Sequence, residues 1–229
     1  MTSAMDVQEL APGFEDPALG PQQTFRAILE AMAHPGMLVK IKSRLYIPEL
    51  LNPASAAVCL TLLYDETPLW TDLSWNSSAI SWFQSQCGCS VVTEPCMAHF
   101  ALITQPSAMP PLDDFKIGDD EHPESATTLI LQVERFNDHN HKILSGPGIK
   151  TTTQFSPVGI RPQFWQQWQL QAALFPLGVD VFFTCNDILA ALPRTTHVSD
   201  PIVSSQIKIK KGDSDLNRPK TDKNVCEQE

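Results

Sequence analysis

Positive charge is scarce in this sequence and unevenly placed. The 229 residues carry 16 Lys and Arg against 26 Asp and Glu, which gives a formal net charge of −10. No Lys or Arg lies between Leu45 and Phe115. Proteins that bind nucleic acids or anionic membranes neutralise phosphates with clustered cations. The charge pattern therefore predicts that neither a nucleic acid nor a membrane is a partner.

Long apolar runs and the motifs of several enzyme classes are also missing. No window reaches about 18 uninterrupted apolar residues, and the first ten residues lack the basic and apolar regions of a secretion signal. The chain has no Walker A loop, dinucleotide-binding glycine motif, Gly-x-Ser-x-Gly, His-Glu-x-x-His or Cys-x-x-Cys. These absences predict a cytoplasmic protein with six reduced cysteines. They also predict no nucleotide site of its own and no nucleophile.

The pattern of the chain predicts an arm, a folded body and a tail. Residues 1–21 are rich in proline, glycine and acids, which predicts a flexible arm. Residues 22–199 alternate between helical and strand-like segments, which predicts one α/β domain, a three-layer α/β/α sandwich. A hairpin between Thr127 and Leu144 predicts a mixed sheet. Residues 200–229 are charged and carry no apolar cluster, which predicts a disordered polar tail.

Helix signals are clear at four places. Helices are predicted over 22–33, 54–63, 77–86 and 162–174. The first carries Phe25, Ile28 and Leu29 at helical spacing, and Asn52 is the predicted N-cap of the second. The acidic, proline-rich stretch 105–124 is predicted to be a loop over the surface.

Four segments together resemble one protein family. They are Phe25-Arg26 with Ala31-Met32-Ala33 and Pro35-Gly36; Leu60-Thr61-Leu62-Leu63 with Asp65, Thr67-Pro68-Leu69-Trp70; Gly146-Pro147-Gly148-Ile149; and Phe175-Pro176-Leu177-Gly178-Val179-Asp180 with Leu192-Pro193-Arg194-Thr195-Thr196. In this order and spacing, over roughly residues 22–198, the chain resembles the H-subunit family of bacterial carbon–phosphorus lyase.

The resemblance implies a fold similar to that of pyridoxal-phosphate-dependent transferases, without the cofactor lysine, and self-association as a homodimer. It also implies association with the G, I and J subunits of a core complex in phosphonate catabolism, where the H subunit packs on the J subunit. With an L partner, that complex transfers a phosphonate onto the ribose of ATP with loss of adenine. The expected role is an accessory subunit, and the resemblance leaves a catalytic role open.

No cofactor is expected for this chain. A Schiff base with pyridoxal phosphate would require a buried lysine, and Lys116, Lys142 and Lys150 all lie in polar or turn contexts of the sequence. A transferase that uses this cofactor is therefore a poor interpretation, even if the fold resembles one.

Arg194 is the first candidate for binding a ligand or a partner. A guanidinium followed by the hydroxyls of Thr195 and Thr196 can hold a phosphate or phosphonate through charge-assisted hydrogen bonds. The alternative is that Arg194 pairs with a carboxylate, with Asp180 as the candidate. His197 adjoins this segment and is the histidine to test as an acid–base group.

The glycines of the third segment form a second candidate. Gly146 and Gly148 could present backbone amides to an anion. Pro147 between them removes one donor, and no helix clearly starts there. A tight turn at the end of a strand is therefore favoured.

Two groups of possible metal ligands have weaker support. They are Cys87, Cys89, Cys96 and His99, and His139 with His141 in the predicted hairpin turn. The Cys-x-Cys spacing departs from that of zinc knuckles, which favours apolar packing for the first group. An exposed turn is favoured for the second, so no metal site is predicted.

Three functions remain open from the sequence. The first is the accessory subunit. The second is an independent small-molecule enzyme that uses Arg194 and His197 on a phosphorylated or phosphonate substrate. The third is a purely structural scaffold that dimerises.

Overall fold

The computed structural model describes residues 13–137, 139 and 141–201. Its helices are α1 (Leu19–Ala33), α2 (Pro53–Leu62), α3 (Ser78–Cys87) and α4 (Pro162–Ala172). Its strands are β1 (Val39–Lys40), β2 (Pro68–Thr71), β3 (Ser90–Val91), β4 (Phe100–Ile103), β5 (Thr128–Gln132), β6 (Arg135–Phe136), β7 (Lys142–Ser145), β8 (Thr153–Phe155), β9 (Pro157–Val158), β10 (Asp180–Cys185), β11 (Ile188–Leu192) and β12 (His197–Ser199). Within the described ranges, no helix has the length and apolar character needed to cross a lipid bilayer.

A seven-stranded sheet lies at the centre of the domain. Its strand order is β1-β11-β10-β5-β4-β2-β3. The strand β11 runs antiparallel to both of its neighbours, and every other adjacent pair is parallel. Three further strands form a small sheet in the order β12-β7-β8. The prediction of an α/β protein with a mixed sheet is therefore confirmed.

The hairpin predicted between Thr127 and Leu144 is wrong. The chain leaves the main sheet after Gln132, and β6 then pairs with the distant strand β9. The strand β7 pairs with β8 and β12 instead of returning along β5. The antiparallel pairing in the main sheet comes from a tight hairpin between β10 and β11, where Asn186 adopts a φ of 50°. Asparagine tolerates this left-handed conformation better than most residues.

Helices cover both faces of the main sheet. Neighbouring residues of a strand point to opposite faces, so Ile130 and Phe182 join one apolar core with α1, α2 and α3. Leu131 and Phe183 join a second core with α4, where Trp168 is buried. The two cores together place the sheet between helical layers, with three helices on one side and α4 on the other.

The first helix buries a different side from the one that its large apolar residues suggest. It begins at Leu19, earlier than predicted, and it packs on α2. Its buried residues are mainly small: Gly20, Thr24, Ala27, Ile28 and Ala31. Phe25 and Leu29 are exposed instead. The small side chains allow α1 and α2 to approach closely. The large side chains Phe25 and Leu29 of α1 remain exposed to solvent.

The structure describes only part of the predicted arm and tail. Residues 1–12 and 202–229 lie outside the described residues. Residues 13–21 contact the domain, where Phe14 is buried and forms an isolated bridge with Leu45.

The stretch 105–124 forms no α-helix or strand and is largely exposed, as predicted, but apolar residues anchor it in the protein. Met109, Leu112 and Phe115 are buried in the second core. The ring of Phe115 lies edge-on to that of Trp70, with 5.7 Å between the ring centres. The surface position of the stretch was therefore predicted, but its acids and prolines obscured these three apolar anchors.

Candidate functional site

The Arg194 guanidinium lies against the Asp180 carboxylate at the start of β10. Nη2 is 2.6 Å from Oδ2, and Nε is 3.3 Å from Oδ1. The backbone amide of Arg194 also donates to Oδ1 at 2.8 Å. The side chains are only 14% and 18% exposed. This two-point contact is the geometry in which arginine binds carboxylates most strongly, and it confirms the alternative in which Arg194 pairs with Asp180.

The same guanidinium also joins two more distant segments. Its Nη1 donates to the carbonyl oxygen of Pro123 at 2.8 Å and to that of Pro176 at 3.2 Å. The ion pair therefore connects the turn after β11 with the start of β10, the end of the 105–124 stretch and the loop after α4. A phosphate would have to displace Asp180 to reach Arg194. The independent-enzyme hypothesis, which needs this cation for a substrate, is not favoured.

The residues after Arg194 divide between the interior and the surface. Thr196 is fully buried, and its carbonyl oxygen accepts a hydrogen bond from Trp168 Nε1 at 2.9 Å. Its hydroxyl has no hydrogen-bond partner in the part of the chain that the structure describes. Thr195 is half-buried, and His197 is exposed on β12 opposite Ser145. These candidates therefore do not share one environment.

The glycine segment after β7 is a tight turn, as favoured from the sequence. The amide of Ile149 donates to the carbonyl oxygen of Gly146 at 3.1 Å. Gly146 and Gly148 have φ values of 128° and 81°, in the region that favours glycine. A Cβ atom at Gly148 would overlap the carbonyl oxygen of Ala33. The turn therefore packs directly on the end of α1.

Three of the four segments that carry the family resemblance meet here. The amide of Gly36 donates to the carbonyl oxygen of Ala191 at 3.0 Å, next to the segment that begins at Leu192. A Cβ atom at Gly146 would lie 3.0 Å from the carbonyl oxygen of Thr195. These contacts link the turn after α1, the turn after β7 and the turn after β11. The residues of the resemblance therefore hold the backbone of this region together.

The carboxyl ends of the parallel strands, where open α/β sheets usually bind ligands, border a cleft of about 360 Å³ whose lining includes Asn52, Gln132 and Asn186. Several polar groups at this cleft are paired within the chain. Gln132 Oε1 accepts hydrogen bonds from the Asn52 amide at 2.7 Å and from the Ser55 hydroxyl at 2.5 Å. The Ala54 amide donates to the carbonyl oxygen of Asn186 at 2.8 Å. The amides at the start of α2, which elsewhere attract phosphates, therefore have partners within the chain.

Asp72 is a structural residue that the sequence analysis missed. It follows β2, and its carboxylate accepts hydrogen bonds from the amides of Thr104 and Gln105 at 2.8–3.0 Å. It also accepts one from the Thr104 hydroxyl at 3.0 Å. Its position directly after a predicted strand was the available signal, because such residues often cap turns.

The cysteines are not arranged as a metal centre. Across the described ranges, no three His, Cys, Asp or Glu side chains come together in a way that could hold a metal ion. Burial raises the pKa of the Cys87 thiol to about 12 and that of Cys89 to about 11. Burial also raises the pKa of Cys59 well above its ordinary value. These thiols are therefore protonated at neutral pH, and a protonated thiol is a poor nucleophile and a poor ligand.

Two larger surface clefts lie away from the Arg194 segment. One, of about 620 Å³, runs along the edge of the sheet and is lined by Lys40, Lys42, Arg44, Glu15 and Asp187, among others. The other, of about 530 Å³, lies between the ribbon β6–β9, the start of β7 and the start of α4.

The fold and this geometry define a mixed α/β domain in which Arg194, Asp180 and the glycine turn join distant segments of the chain. The sequence profile of the family described as bacterial phosphonate metabolism protein (PhnH) matches residues 12–199. The chain therefore belongs to the PhnH family, as its four segments predicted.

Two relatives show how far the similarity extends. The chain is 34% identical over 184 residues to a Rhizobium meliloti (strain 1021) protein, and the match covers 80% of this chain and 92% of that protein. The relative is named alpha-D-ribose 1-methylphosphonate 5-triphosphate synthase subunit PhnH. A Stutzerimonas stutzeri protein assigned by name as a C-P lyase subunit, HtxG, is 39% identical over 84 residues, which is 37% of this chain and 43% of that protein.

Proposed function

We propose that this chain is an accessory subunit of the carbon–phosphorus lyase core complex. In this role it supports the transfer of a phosphonate onto the ribose of ATP with loss of adenine, without catalysing the reaction itself. The R. meliloti relative, named as a subunit of a ribose 1-methylphosphonate 5-triphosphate synthase, supports the assignment. The engagement of Arg194 by Asp180 supports a structural role for the segment that resembles the family most specifically.

The observation that carries the subunit role is a segment without charged residues that exposes apolar side chains at the end of α4. No charged residue occurs from Pro162 to Val179. Leu170 and Phe175 are 73% and 62% exposed, and Leu174 is exposed beside them. Exposed apolar side chains without intervening charges are typical of subunit interfaces. We name the surface formed by Leu170, Leu174 and Phe175 the α4 surface.

The Arg194–Asp180 ion pair contacts the backbone next to this surface. Arg194 donates to the carbonyl oxygen of Pro176, which follows Phe175 directly. The pair therefore fixes the backbone that presents the apolar side chains. In our proposal the α4 surface faces the J subunit, and the G and I subunits complete the complex.

Further features of the proposal concern the assembly and the fold. We include a homodimer, a cytoplasmic location and a single α/β domain over residues 22–199, flanked by the arm 1–21 and the tail 200–229. The five described cysteines are free thiols, which supports a reducing compartment. The mixed sheet with helices on both faces supports a three-layer fold like that of pyridoxal-phosphate-dependent transferases.

Co-purification tests the proposal. The tagged chain is expressed with the neighbouring phosphonate subunits, and the stoichiometry of the recovered complex is measured. The variant Phe175→Asp should fold normally, because this side chain is exposed, but it should lose most of the recovered partners. Met97→Asp, at an exposed apolar residue on a different part of the chain, is the matched control and should retain them. Recovery of the wild-type chain without partners, or equal recovery with both variants, would contradict the proposal.

A further inference from the structure

The cleft between the ribbon β6–β9 and α4 concentrates cationic and imidazole side chains in an acidic protein. Arg135, His139, His141 and Lys142 line it, and Asp200 is the one carboxylate among its described lining residues. Arg135 also lies 3.9 Å from the Glu134 carboxylate, and both of these side chains are exposed. Its volume of about 530 Å³ lies within the range of small-molecule sites. The two histidines were predicted to lie in an exposed turn; His139 is exposed, and both line this cleft.

Lys142 is the most buried cation of the cleft. Its side chain is only 20% exposed, and Nζ lies 5.8 Å from the centre of the Trp165 ring. This position differs from the polar turn that the sequence suggested. A lysine held against an aromatic ring and away from water needs an anionic partner. The Asp200 carboxylate, which is 73% exposed, provides that partner.

Hydrogen bonds hold Asn137 and His139 at one side of the cleft. Ser156 Oγ lies 2.6 Å from Asn137 Oδ1, and the His139 amide donates to the same oxygen at 3.1 Å. The Asn137 amide donates to the carbonyl oxygen of Ser156 at 3.2 Å. Asn137 and His139 are therefore held against Ser156, the residue before β9.

The start of α4 adds a favourable field for an anion. Pro162, the first residue of the helix, lines the cleft. The first turn of α4 contains no acidic residue, and its N-cap, Arg161, makes no side-chain capping bond. The positive end of the helix dipole therefore points towards the region of Lys142 and is not offset by an acid in that turn.

The larger cleft at the sheet edge has no cation as buried as Lys142, because Lys40, Lys42 and Arg44 are all exposed. Lys40 pairs with Asp187 at 2.9 Å, and Arg44 lies 3.9 Å from Glu15. All four side chains are exposed, so water and salt screen their charges.

We propose that the 530 Å³ cleft binds an anion that carries phosphoryl or phosphonyl groups, with Lys142 as the anchoring cation. Asp200 occupies the position that an oxygen of the ligand takes, because a carboxylate presents the same kind of acceptor to Nζ. Binding releases Asp200 into solvent, while Arg135 and the imidazoles contact the remaining oxygens. The site lies on residues other than the Arg194 segment and does not depend on the α4 surface.

Calorimetric titration of the full chain tests the site. Sodium tripolyphosphate and methylphosphonate are titrated separately at low ionic strength in a buffer without phosphate. Lys142→Met should weaken binding about tenfold or more, since it removes a charge-assisted contact. Asp200→Asn should strengthen binding severalfold, because it removes the competing carboxylate. The probe that binds tells whether the site selects a phosphate chain or a phosphonate.

The Lys40–Asp187 pair provides matched controls. Lys40→Met and Asp187→Asn change the net charge by the same amounts at an exposed ion pair elsewhere, and each should change the affinity by less than about twofold. If Lys142→Met does not fold, Arg135→Gln, at an exposed side chain, should still weaken binding. The proposal is overturned if neither anion binds, if Lys142→Met and Arg135→Gln bind as the wild type does, or if Asp187→Asn strengthens binding as much as Asp200→Asn.

Discussion

Gly148 lies so close to Ala33 that a Cβ atom on the glycine would overlap the carbonyl oxygen at the end of α1. This contact joins the turn after β7 to the turn after α1, two segments that the sequence resemblance had grouped only by order. Glycine is required there twice, once by its φ of 81° and once by the lack of space.

Gly148→Ala should lower the free energy of unfolding by about 2–4 kcal/mol, because it adds a steric overlap to the cost of a positive φ. Gly159→Ala separates the cost of the positive φ from the cost of the steric overlap. Gly159 also has a positive φ, of 98°, but its nearest neighbour would lie 3.5 Å from an added Cβ atom. It should cost only about 1–2 kcal/mol. Urea unfolding measures both values, and equal losses would show that the overlap at Ala33 is relieved by local movement.

Arg194→Met should destabilise the protein by about 3 kcal/mol, since it leaves Asp180 largely buried without its cation. Arg44→Met is the control. Its guanidinium is exposed and 3.9 Å from Glu15, so the loss should stay below about 0.5 kcal/mol. Adding Asp180→Asn to Arg194→Met should recover part of the stability, because the unpaired charge is removed. A ligand-binding arginine would give the opposite result, with little or no loss of stability in urea unfolding.

Local signals predicted those parts of the fold that depend on neighbours in the sequence. Asn52 and Pro53 mark the start of α2, because an N-cap and the first helical turn are adjacent. The Asp180–Arg194 ion pair could also be proposed from the sequence, as the alternative to anion binding by Arg194. The hairpin of β10 and β11 sets Val181 opposite Leu192, which brings the turn with Arg194 next to residue 180.

Pairings between distant segments could not be predicted in this way. Arg135 in β6 pairs with Val158 in β9, and not with β7, which begins at Lys142. Which strands pair depends here on packing between segments that are distant in the sequence. Lys142 forms an ion pair with Asp200, which lies 58 residues later in the chain. No local sequence pattern predicts such a contact. The cleft that these residues form was therefore hidden at the sequence level.

Phe115→Ala tests the packing of the stretch 105–124. A phenylalanine in a surface loop would cost little to truncate, whereas this ring is buried against Trp70. We expect a loss of about 3–4 kcal/mol from the cavity that remains. Trp75→Ala removes an exposed ring and should cost less than about 1 kcal/mol. Thermal unfolding measures the loss of stability in both variants. If the stretch were a loop without buried anchors, the two losses would be similar.

Asp72→Ala should weaken the connection between β2 and β4. It removes the acceptor of the Thr104 and Gln105 amides, and the expected cost is about 1–2 kcal/mol. Asp72→Asn keeps one acceptor oxygen and should restore about half of that loss. Hydrogen exchange at Thr104 and Gln105 provides a local measurement. Unchanged exchange in Asp72→Ala would show that these amides are protected by something other than the carboxylate.

The buried thiols should make the protein sensitive to alkaline pH. Burial raises the pKa of Cys87 to about 12 in the folded state, against an ordinary value of 9.0. Between these values the unfolded chain has lost the thiol proton while the folded chain retains it, so the unfolded state is favoured as the pH rises. The contribution of Cys87 to stability is therefore complete below about pH 9 and declines above it.

Cys87→Ala removes this pH-dependent contribution, so the difference in unfolding free energy between the variant and the wild type should shrink between pH 7 and pH 10. Ser85→Ala, on the same helix, removes a group that does not ionise in this range, and its difference should stay constant. Parallel curves for the wild type and Cys87→Ala would show that Cys87 ionises equally in both states.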